Sequence, residues 1–318
     1  MRRLVFAMMM IFAASGAWHG AAKAGCAASA AGLSFGSAPS YDIQTNAVAT
    51  AAGLAGLTCS GSFLGLLGGS YAKATITSSN HFKLRSAANE QVDYQLSADP
   101  GGTIVFQQGV ALNYMNSSLL SLLGIGGGST FQAPLFGRLL STPNIAAGTY
   151  TDTLTVTWDF AVCDGVQVTP LICVPSYTTG KFTVMINVTM VVANDCRISA
   201  PNVDFGTAAL ASQFPAVTQN ILVDCTKGSA PRMNFTSGSA GTTRPWRKMT
   251  GPGGNSLQYN IFRPDGTTIW EAPQTLGFQG SGALTPKQLQ TYLIRVNPEQ
   301  ATPPAGSYSD TLSVVISF

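Results

Sequence analysis

The chain has 318 residues, of which 45% are hydrophobic and only 10% are charged. Its formal charge of +3 comes from a basic N-terminal segment, because leaving out Arg2, Arg3 and Lys23 lowers the basic count from 17 to 14, equal to the acidic count of 14. A neutral chain without a basic cluster does not have the positively charged surface that nucleic-acid-binding proteins need, so this class of function is excluded. Six cysteines against two histidines favour disulfides over metal sites.

The first 24 residues have the organisation of a secretory signal. Two arginines precede an apolar run from Leu4 to about Ala14, and the small-residue sequence AKA precedes Gly25. A lipoprotein signal is the alternative, since Cys26 follows a glycine, but Lys23 stands where such a signal requires an apolar residue. We therefore predict an exported chain that begins at Gly25, with no later apolar run long enough to cross a membrane.

The remaining chain is a tandem duplication. AAGTYTDTLTVTWDF (146–160) aligns without a gap with PAGSYSDTLSVVISF (304–318), and CAASAAGLSFG from Cys26 resembles CRISAPNVDFG from Cys196. Between these segments, VDYQL around Tyr94 parallels LQYNI around Tyr259. Alternating apolar residues, many turn residues and no sustained helical periodicity predict an all-β chain with one sandwich of short strands in each copy.

The duplication also predicts how the six cysteines pair. Each copy begins with a cysteine and later reaches a second one, in LTCSG or in VDCTKG. By symmetry the expected bridges are Cys26–Cys59 and Cys196–Cys225, which leaves Cys163 to pair with Cys173. A metal site is the alternative for the last pair, but its spacing and the lack of a nearby histidine suit a loop-closing disulfide better.

Three apolar, partly glycine-rich segments occur in the first copy and have no counterpart in the second. They are SFLGLLGG (62–69), SSLLSLLGIGGG (117–128) and VQVTPLI (166–172). Exposed apolar loops indicate contact with another surface, but the second segment also has helical spacing and could instead be a short buried helix. The candidate surface-binding residues are Phe63, Leu64, Leu66, Leu67, Leu119, Leu120, Leu122, Leu123, Ile125, Val166, Val168, Leu171 and Ile172.

The segment KFTVMINVTMVVANDC (181–196) lies in the middle of the chain, where it joins the two copies. Apolar residues fill six successive alternate positions: Phe182, Val184, Ile186, Val188, Met190 and Val192. This pattern predicts a long strand with one buried face, located immediately before Cys196.

The sequence offers little for catalysis. His81 is the only histidine after the predicted signal, and we expect it in a strand or at a strand end, as a surface or satisfied side chain. Asp152 and Asp310 occupy equivalent repeat positions, which suggests a shared turn role rather than a single active site. GIGGG (124–128) lacks the strand and helix of a phosphate-binding loop. We predict a non-enzyme without metal or cofactor.

The second copy resembles the spore coat protein U domain family, which includes subunits of archaic, Csu-type chaperone–usher pili. The resemblance rests on CRISAPNVDFG, ILVDCTKG, RPWRKM, LQYNIF and PAGSYSDTLSVVISF, in the family's order. It implies immunoglobulin-like sandwiches that lack a final strand, each groove being filled by an N-terminal extension of a neighbouring subunit. In single-domain subunits this donor extension lies just before the first cysteine, where 182–192 lies here.

The resemblance gives a domain plan. Residues 1–24 are the signal, 25–193 form an adhesin-like sandwich completed by the donor-like strand 182–192, and 194–318 form a pilin-like sandwich without its final strand. The simpler alternative is that 182–192 is an ordinary last strand of domain 1. With only Gly25 before Cys26 and no strand after Phe318, we expect a subunit that accepts a strand but donates none.

Such a subunit would be a tip adhesin, at the cell surface or secreted, that attaches to surfaces and supports biofilm formation through the apolar loops. The expected partners are a periplasmic chaperone, an outer-membrane usher, an adjacent pilin that donates a strand to domain 2, and a hydrophobic surface or host receptor. One alternative is a carbohydrate-binding tip, for which the aromatic residues Tyr71, Tyr114 and Phe131 would be suitable. The other is a free-standing secreted structural protein.

Overall fold

The computed structural model describes residues 25–45, 50–60, 69–116, 119, 130–141, 143–163, 166–169, 172–174, 176–236, 246–270 and 276–318. Strands dominate, as the alternating apolar pattern predicts. Within these residues no helix is long and apolar enough to cross a membrane.

The first domain contains twelve of the described strands and the helix α1 (Ser40–Gln44). The strands are β1 (Gly25–Ala30), β2 (Leu33–Pro39), β3 (Thr50–Ser60), β4 (Tyr71–Ser78), β5 (Lys83–Arg85), β6 (Gln91–Ser97), β7 (Ala111–Asn113), β8 (Thr130–Leu139), β9 (Gly148–Cys163), β10 (Val166–Thr169), β11 (Ile172–Val174) and β12 (Tyr177–Ala193).

Ten of these strands form one sheet that encloses the first core. Their order is β1-β3-β8-β6-β5-β9-β12-β2, and β4 pairs with both β7 and β9. The buried alternate side chains of β3, β4, β6, β8, β9 and β12 belong to one hydrophobic cluster that extends to Val192. β10 and β11 form a separate hairpin.

The second domain is smaller and has two sheets around its own core. Its strands are β13 (Cys196–Ser199), β14 (Val217–Cys225), β15 (Arg232–Phe235), β16 (Arg247–Thr250), β17 (Ser256–Phe262), β18 (Leu276–Gly277), β19 (Gln288–Val296) and β20 (Val314–Ser317), with 3-10 helices at Ala211–Gln213 and Pro252–Gly254. One sheet has the order β13-β14-β19-β17-β16 and the other β18-β15-β20. The predicted all-β architecture of two sandwich domains is confirmed.

The three disulfides are the expected pairs. Cys26–Cys59 joins β1 to β3 and Cys196–Cys225 joins β13 to β14, so the two bridges occupy the same place in each copy. Cys163–Cys173 ties the end of β9 to the β10–β11 hairpin.

The repeated aspartates have a role that differs from the expected turn. Asp152 is buried on β9 and accepts hydrogen bonds from Tyr94 Oη and Ser78 Oγ, both at 2.5 Å. In domain 2 the Tyr259 hydroxyl donates in the same way to Asp310, at 2.6 Å. Burial and the Asp152 carboxylate raise the pKa of Tyr94, so this hydroxyl remains a donor. A tyrosine–aspartate bond therefore recurs in each sandwich, and in domain 1 it supplies a donor to a carboxylate that is buried.

Polar contacts join the two domains at the end of domain 1 where β12 leaves it. The Tyr41 hydroxyl on α1 donates to Asp195 at 2.5 Å, and the Arg197 guanidinium lies 3.9 Å above the Tyr41 ring while it pairs with Asp42. Glu90 binds Lys227 Nζ at 2.6 Å. Two side-chain amides also cross the boundary, with Gln44 donating to Gly282 O at 2.6 Å and Asn144 to Ser281 O at 2.9 Å.

Candidate functional site: an open groove in domain 2 and the far end of domain 1

β12 closes the first sandwich from within the chain. It pairs antiparallel with β9 from Tyr177↔Cys163 to Val192↔Gly148, and parallel with β2 on its other side. Five of the six predicted inward side chains are buried and Phe182 is partly buried against the same core. Burial at about 1.5–3 kcal/mol per side chain gives an upper bound of about 8–15 kcal/mol for the five, which is enough to fix the register of the strand.

The matching positions of domain 2 lack this cover. Leu154, Val156, Trp158 and Phe160 on β9 are buried, whereas the equivalent Leu312, Val314 and Ile316 are only partly buried and Phe318 is 59% exposed. The same contrast holds at the start of each copy, where Leu33 and Phe35 are buried and the equivalent Val203 and Phe205 are partly buried. The side chains that β12 covers in domain 1 are therefore open in domain 2.

The backbone of domain 2 is open at the same place. β20 pairs with β15 on one side only among the residues that the structure describes, whereas β9 is paired on both sides. Residues 200–208 form no strand, although their counterpart in domain 1 includes β2. The difference follows from the missing neighbour, because β2 is held in the sheet by its parallel bonds to β12.

Between these two edges lies a cavity of about 540 Å³. Its floor is apolar, and the lining residues include Val203, Phe205, Phe214, Phe235, Met249, Leu257, Ile261, Ile294, Leu312 and Val314. Apolar pockets beside a free strand edge suit an extended peptide with alternating apolar side chains, since its main chain can bond to the edge while its side chains fill the floor. β12 has this pattern of alternating apolar side chains.

The strands that flank the three predicted apolar segments end close together in domain 1, at the end of the domain that is opposite the interdomain contact. Ser60 at the end of β3 pairs with Thr130 at the start of β8, and the Cys163 N–H at the end of β9 donates to Ser70 Oγ. β9 runs from this end to the interdomain contact, and its 16 residues span about 50 Å. The strand ends that flank the three segments thus lie far from domain 2.

The structure shows for only a few of the candidate surface residues whether the side chain is exposed or buried. Phe63, Leu64, Leu66, Leu67, Leu120, Leu122, Leu123, Ile125 and Leu171 lie outside the described residues, and of Val166 and Val168 only the backbone strand β10 is described. Ile172 is 53% exposed on β11. Leu119 was a wrong choice for a displayed residue, because it is 2% exposed and packs into the core of domain 1. Val174 is 54% exposed on the same strand and is not among the predicted residues, although only Cys173 separates it from the apolar segment.

The aromatic residues considered for sugar binding are mostly structural. Tyr114 and Phe131 are buried in the core of domain 1, and the Tyr114 hydroxyl donates to Pro134 O at 2.6 Å. Tyr71 is partly exposed, and its hydroxyl donates to Asp159 at 3.2 Å. His81 lies exposed in a turn between β4 and β5 with φ of 57°, rather than in a strand. Among the described side chains, no group of three or more His, Cys, Asp or Glu residues could hold a metal ion.

Three solved structures to which the chain is similar come from pilus systems. The crystal structure of the CsuC–CsuE chaperone–tip adhesion subunit pre-assembly complex, from archaic chaperone–usher Csu pili of Acinetobacter baumannii, matches with a TM-score of 0.62 at 21% identity, over 92% of this chain and 100% of that chain. The CupB6 tip adhesin of Pseudomonas aeruginosa matches with a TM-score of 0.32 at 8% identity, over 84% and 85%. The CooA pilin subunit of enterotoxigenic Escherichia coli matches with a TM-score of 0.29 at 12% identity, over 54% and 99%. No curated protein matches the sequence.

The family described as Spore Coat Protein U domain matches residues 13–157 and 182–315. The second match begins at the donor-like strand, so the family pattern groups this strand with the sandwich that follows it, although here it completes the preceding one. Two matches that together span most of the chain establish that this protein belongs to the Spore Coat Protein U domain family.

Proposed function

We propose that this protein is the tip adhesin subunit of a chaperone–usher pilus. The observation that carries the proposal is the contrast between its two grooves. Domain 1 is filled by β12 of the same chain, so this strand is not free to enter a neighbour, while domain 2 has an open edge and an apolar floor. A subunit that accepts a strand and uses its own donor-like strand internally fits the distal end of a fibre built by strand donation.

The proposed partners follow from the same contrast. An adjacent pilin supplies the strand for the domain 2 groove, and before assembly a periplasmic chaperone covers it, because an unfilled edge over an apolar floor promotes aggregation. An outer-membrane usher then delivers the subunit to the cell surface. The likeness to a chaperone–tip subunit complex supports this assignment at the level of the fold.

Attachment is proposed to use the apolar segments of domain 1. Their flanking strand ends lie about 50 Å from domain 2, at the end that a tip subunit would present to a surface. Val174 and Ile172 show that this end exposes apolar side chains. A neutral chain that binds through such side chains would support attachment to hydrophobic surfaces and biofilm formation without relying on charge.

The groove is tested with a synthetic peptide of residues 181–192. The exported chain produced without a chaperone should aggregate, and refolding at low concentration with the peptide should yield a monomer with a higher melting temperature. A peptide in which Ile186, Val188 and Met190 are replaced by Ser is the matched control and should have no effect. A stable, monomeric chain whose melting temperature ignores the native peptide would contradict the open groove.

Attachment is tested by substitution in cells that display the protein. Replacing Phe63, Leu64, Leu66 and Leu67, or Leu120, Leu122, Leu123 and Ile125, with Ser should abolish adhesion to hydrophobic plastic without reducing surface delivery. Met185→Ser is the control, since Met185 is 66% exposed but lies on the side of the domain. High salt should not weaken adhesion, because it screens only charged contacts. Full adhesion by a correctly delivered variant would refute the assignment, and competition by a soluble sugar would indicate a carbohydrate-binding tip.

A further inference from the structure

The interdomain contact has a counterpart at the opposite end of domain 2. We infer that this end, formed by Leu210, Ser212, Asn255, Thr302 and Pro304 and here called the terminal face, is the docking surface for the body of the protein whose strand fills the groove. The inference rests on the proposed function of the groove. It adds a second contact, outside the groove, and a chemical description of the partner surface.

The first correspondence is a turn in each domain. In domain 1 the Ser86 N–H donates to Glu90 O at 3.0 Å, and in domain 2 the Gly251 N–H donates to Asn255 O at 2.9 Å. The fourth residue of each turn has a positive φ, 63° at Asn89 and 77° at Gly254. Asn255 therefore stands where Glu90 stands, and Glu90 binds Lys227 across the domain boundary.

The second correspondence lies around the start of β9 in domain 1 and in the matching segment before β20 in domain 2. The Tyr150 hydroxyl oxygen lies 2.9 Å from Ala146 O, and the equivalent Tyr308 hydroxyl donates to Pro304 O at 2.6 Å. Ala146 forms a parallel bridge with Lys227 of domain 2. Pro304 thus occupies the position from which domain 1 contacts the body of the following domain.

The third correspondence is the helix after the first strand segment. α1 follows β2, and the 3-10 helix Ala211–Gln213 follows the equivalent segment in domain 2. The Ala211 N–H donates to Thr302 Oγ1 at 3.1 Å, and Thr302 is the counterpart of Asn144, which Gln44 of α1 approaches at 3.5 Å. By the spacing of the first cysteines, Ser212 matches Asp42 and Leu210 matches Ser40.

The direction of β12 places a donor at this face. β12 runs antiparallel to β9 and leaves domain 1 beside α1, so Asp195 and Arg197 contact Tyr41 and Asp42 directly. A donor strand with the same direction against β20 would leave domain 2 beside Ala211–Gln213. The residues that follow the donor strand would then meet the terminal face.

The two surfaces differ in chemistry. Domain 1 offers the carboxylates of Asp42 and Glu90 to the cations Arg197 and Lys227. At the same positions the terminal face has Ser212 and Asn255, and Leu210 is 49% exposed where Ser40 is buried. The partner is thus a protein of the same fold whose matching residues are neutral or apolar, because a cation there would lack the carboxylate partner that Arg197 and Lys227 have in domain 1. This difference in charge would make each contact specific for its own partner, one between subunits and the other within the chain.

Two peptides and one added charge test the inference on the full exported chain. The short peptide is 181–192, and the long peptide is 181–199 with Cys196→Ser, which adds Arg197 beyond the strand. Ser212→Asp should tighten binding of the long peptide about two- to fivefold, as expected for an exposed ion pair, and leave the short peptide unchanged. The gain should vanish at high salt and reverse with Arg197→Glu in the long peptide.

Thr218→Asp is the matched control, because it adds the same charge at an exposed position on β14 that is not among the residues of the terminal face. Equal effects of Ser212→Asp and Thr218→Asp, or no effect of Ser212→Asp on the long peptide while the short one binds, would overturn the terminal face and leave the groove standing. Failure of both peptides to bind the native chain would refute the groove and, with it, this inference.

Discussion

Truncating one matched leucine in each domain measures how open the groove is. Leu154 is fully buried on β9 beside Ile186 of β12, whereas its counterpart Leu312 lines the cavity and is partly exposed. Leu154→Ala removes methyl groups from a packed site and leaves a void, so it should lower the free energy of unfolding of domain 1 by about 2–5 kcal/mol. Leu312→Ala removes the same atoms where part of the neighbourhood is missing, so the loss in domain 2 should be about 1–2 kcal/mol.

The peptide 181–192 should change this comparison. Once it covers Leu312, the cost of Leu312→Ala should rise toward that of Leu154→Ala, because both side chains then contact a strand on every apolar side. Met185→Ala, on the exposed face of β12, should change stability by less than about 0.5 kcal/mol and serves as the control.

The assay is urea unfolding of chains refolded at low concentration, followed by circular dichroism, with hydrogen exchange to assign each loss to a domain. Two equal losses without the peptide, and no change when it is added, would show that Leu312 already has a complete set of neighbours. That result would refute the reasoning from the matched positions.

Two further predictions concern the interdomain contact and the close packing of Gly56 against β12. Burial raises the pKa of Glu90, but hydrogen bonds from Lys227, the Ala146 N–H and Tyr150 lower it more, so that it lies below the ordinary 4.5. The stabilising contribution of Glu90 is therefore complete above pH 4.5 and is lost as the pH falls through the lowered pKa. The difference in melting temperature between the native chain and Glu90→Gln should accordingly shrink between pH 7 and pH 3. A constant difference would argue against the ion pair. Gly56 has φ of 90°, and an added Cβ would overlap Val184 on β12, so Gly56→Ala should cost more than about 1 kcal/mol in urea unfolding. Val184→Ala in the same chain should recover part of that loss, and strictly additive losses would contradict the close approach.

The sequence predicted those features that depend on local periodicity or on the repeat. Alternating apolar residues located β9 and β12, and the matched cysteines identified the disulfide pairs. Repeat symmetry relates Tyr94 to Tyr259 and Asp152 to Asp310, so it contains enough information to predict the tyrosine–aspartate bonds. A sequence pattern does not show how deeply a residue is buried. It therefore suggests a turn for Asp152, although a hydrogen-bonded carboxylate can be buried in a strand.

The interdomain contact could not have been predicted in this way. Arg197 pairs with Asp42 across 155 residues and Lys227 with Glu90 across 137, and no local pattern selects one carboxylate among 14. Leu119 illustrates a different limit, because leucines at helical spacing are compatible with a buried helix or a displayed loop. Only the packing of the domain decides which of them the core receives.

The continuity of β12 with domain 2 has a mechanical consequence. A pulling force applied at the far end of domain 1 and resisted at domain 2 would load β12 along its length, in shear across the 16 paired positions from Tyr177 to Val192. Beyond Val192 the load passes through peptide bonds into Cys196 and across the disulfide to β14, with no strand that could slide out at this joint. A strand held in the groove of domain 2 would be retained only by non-covalent contacts, so under tension the first joint to yield would lie behind domain 2 rather than between the two domains.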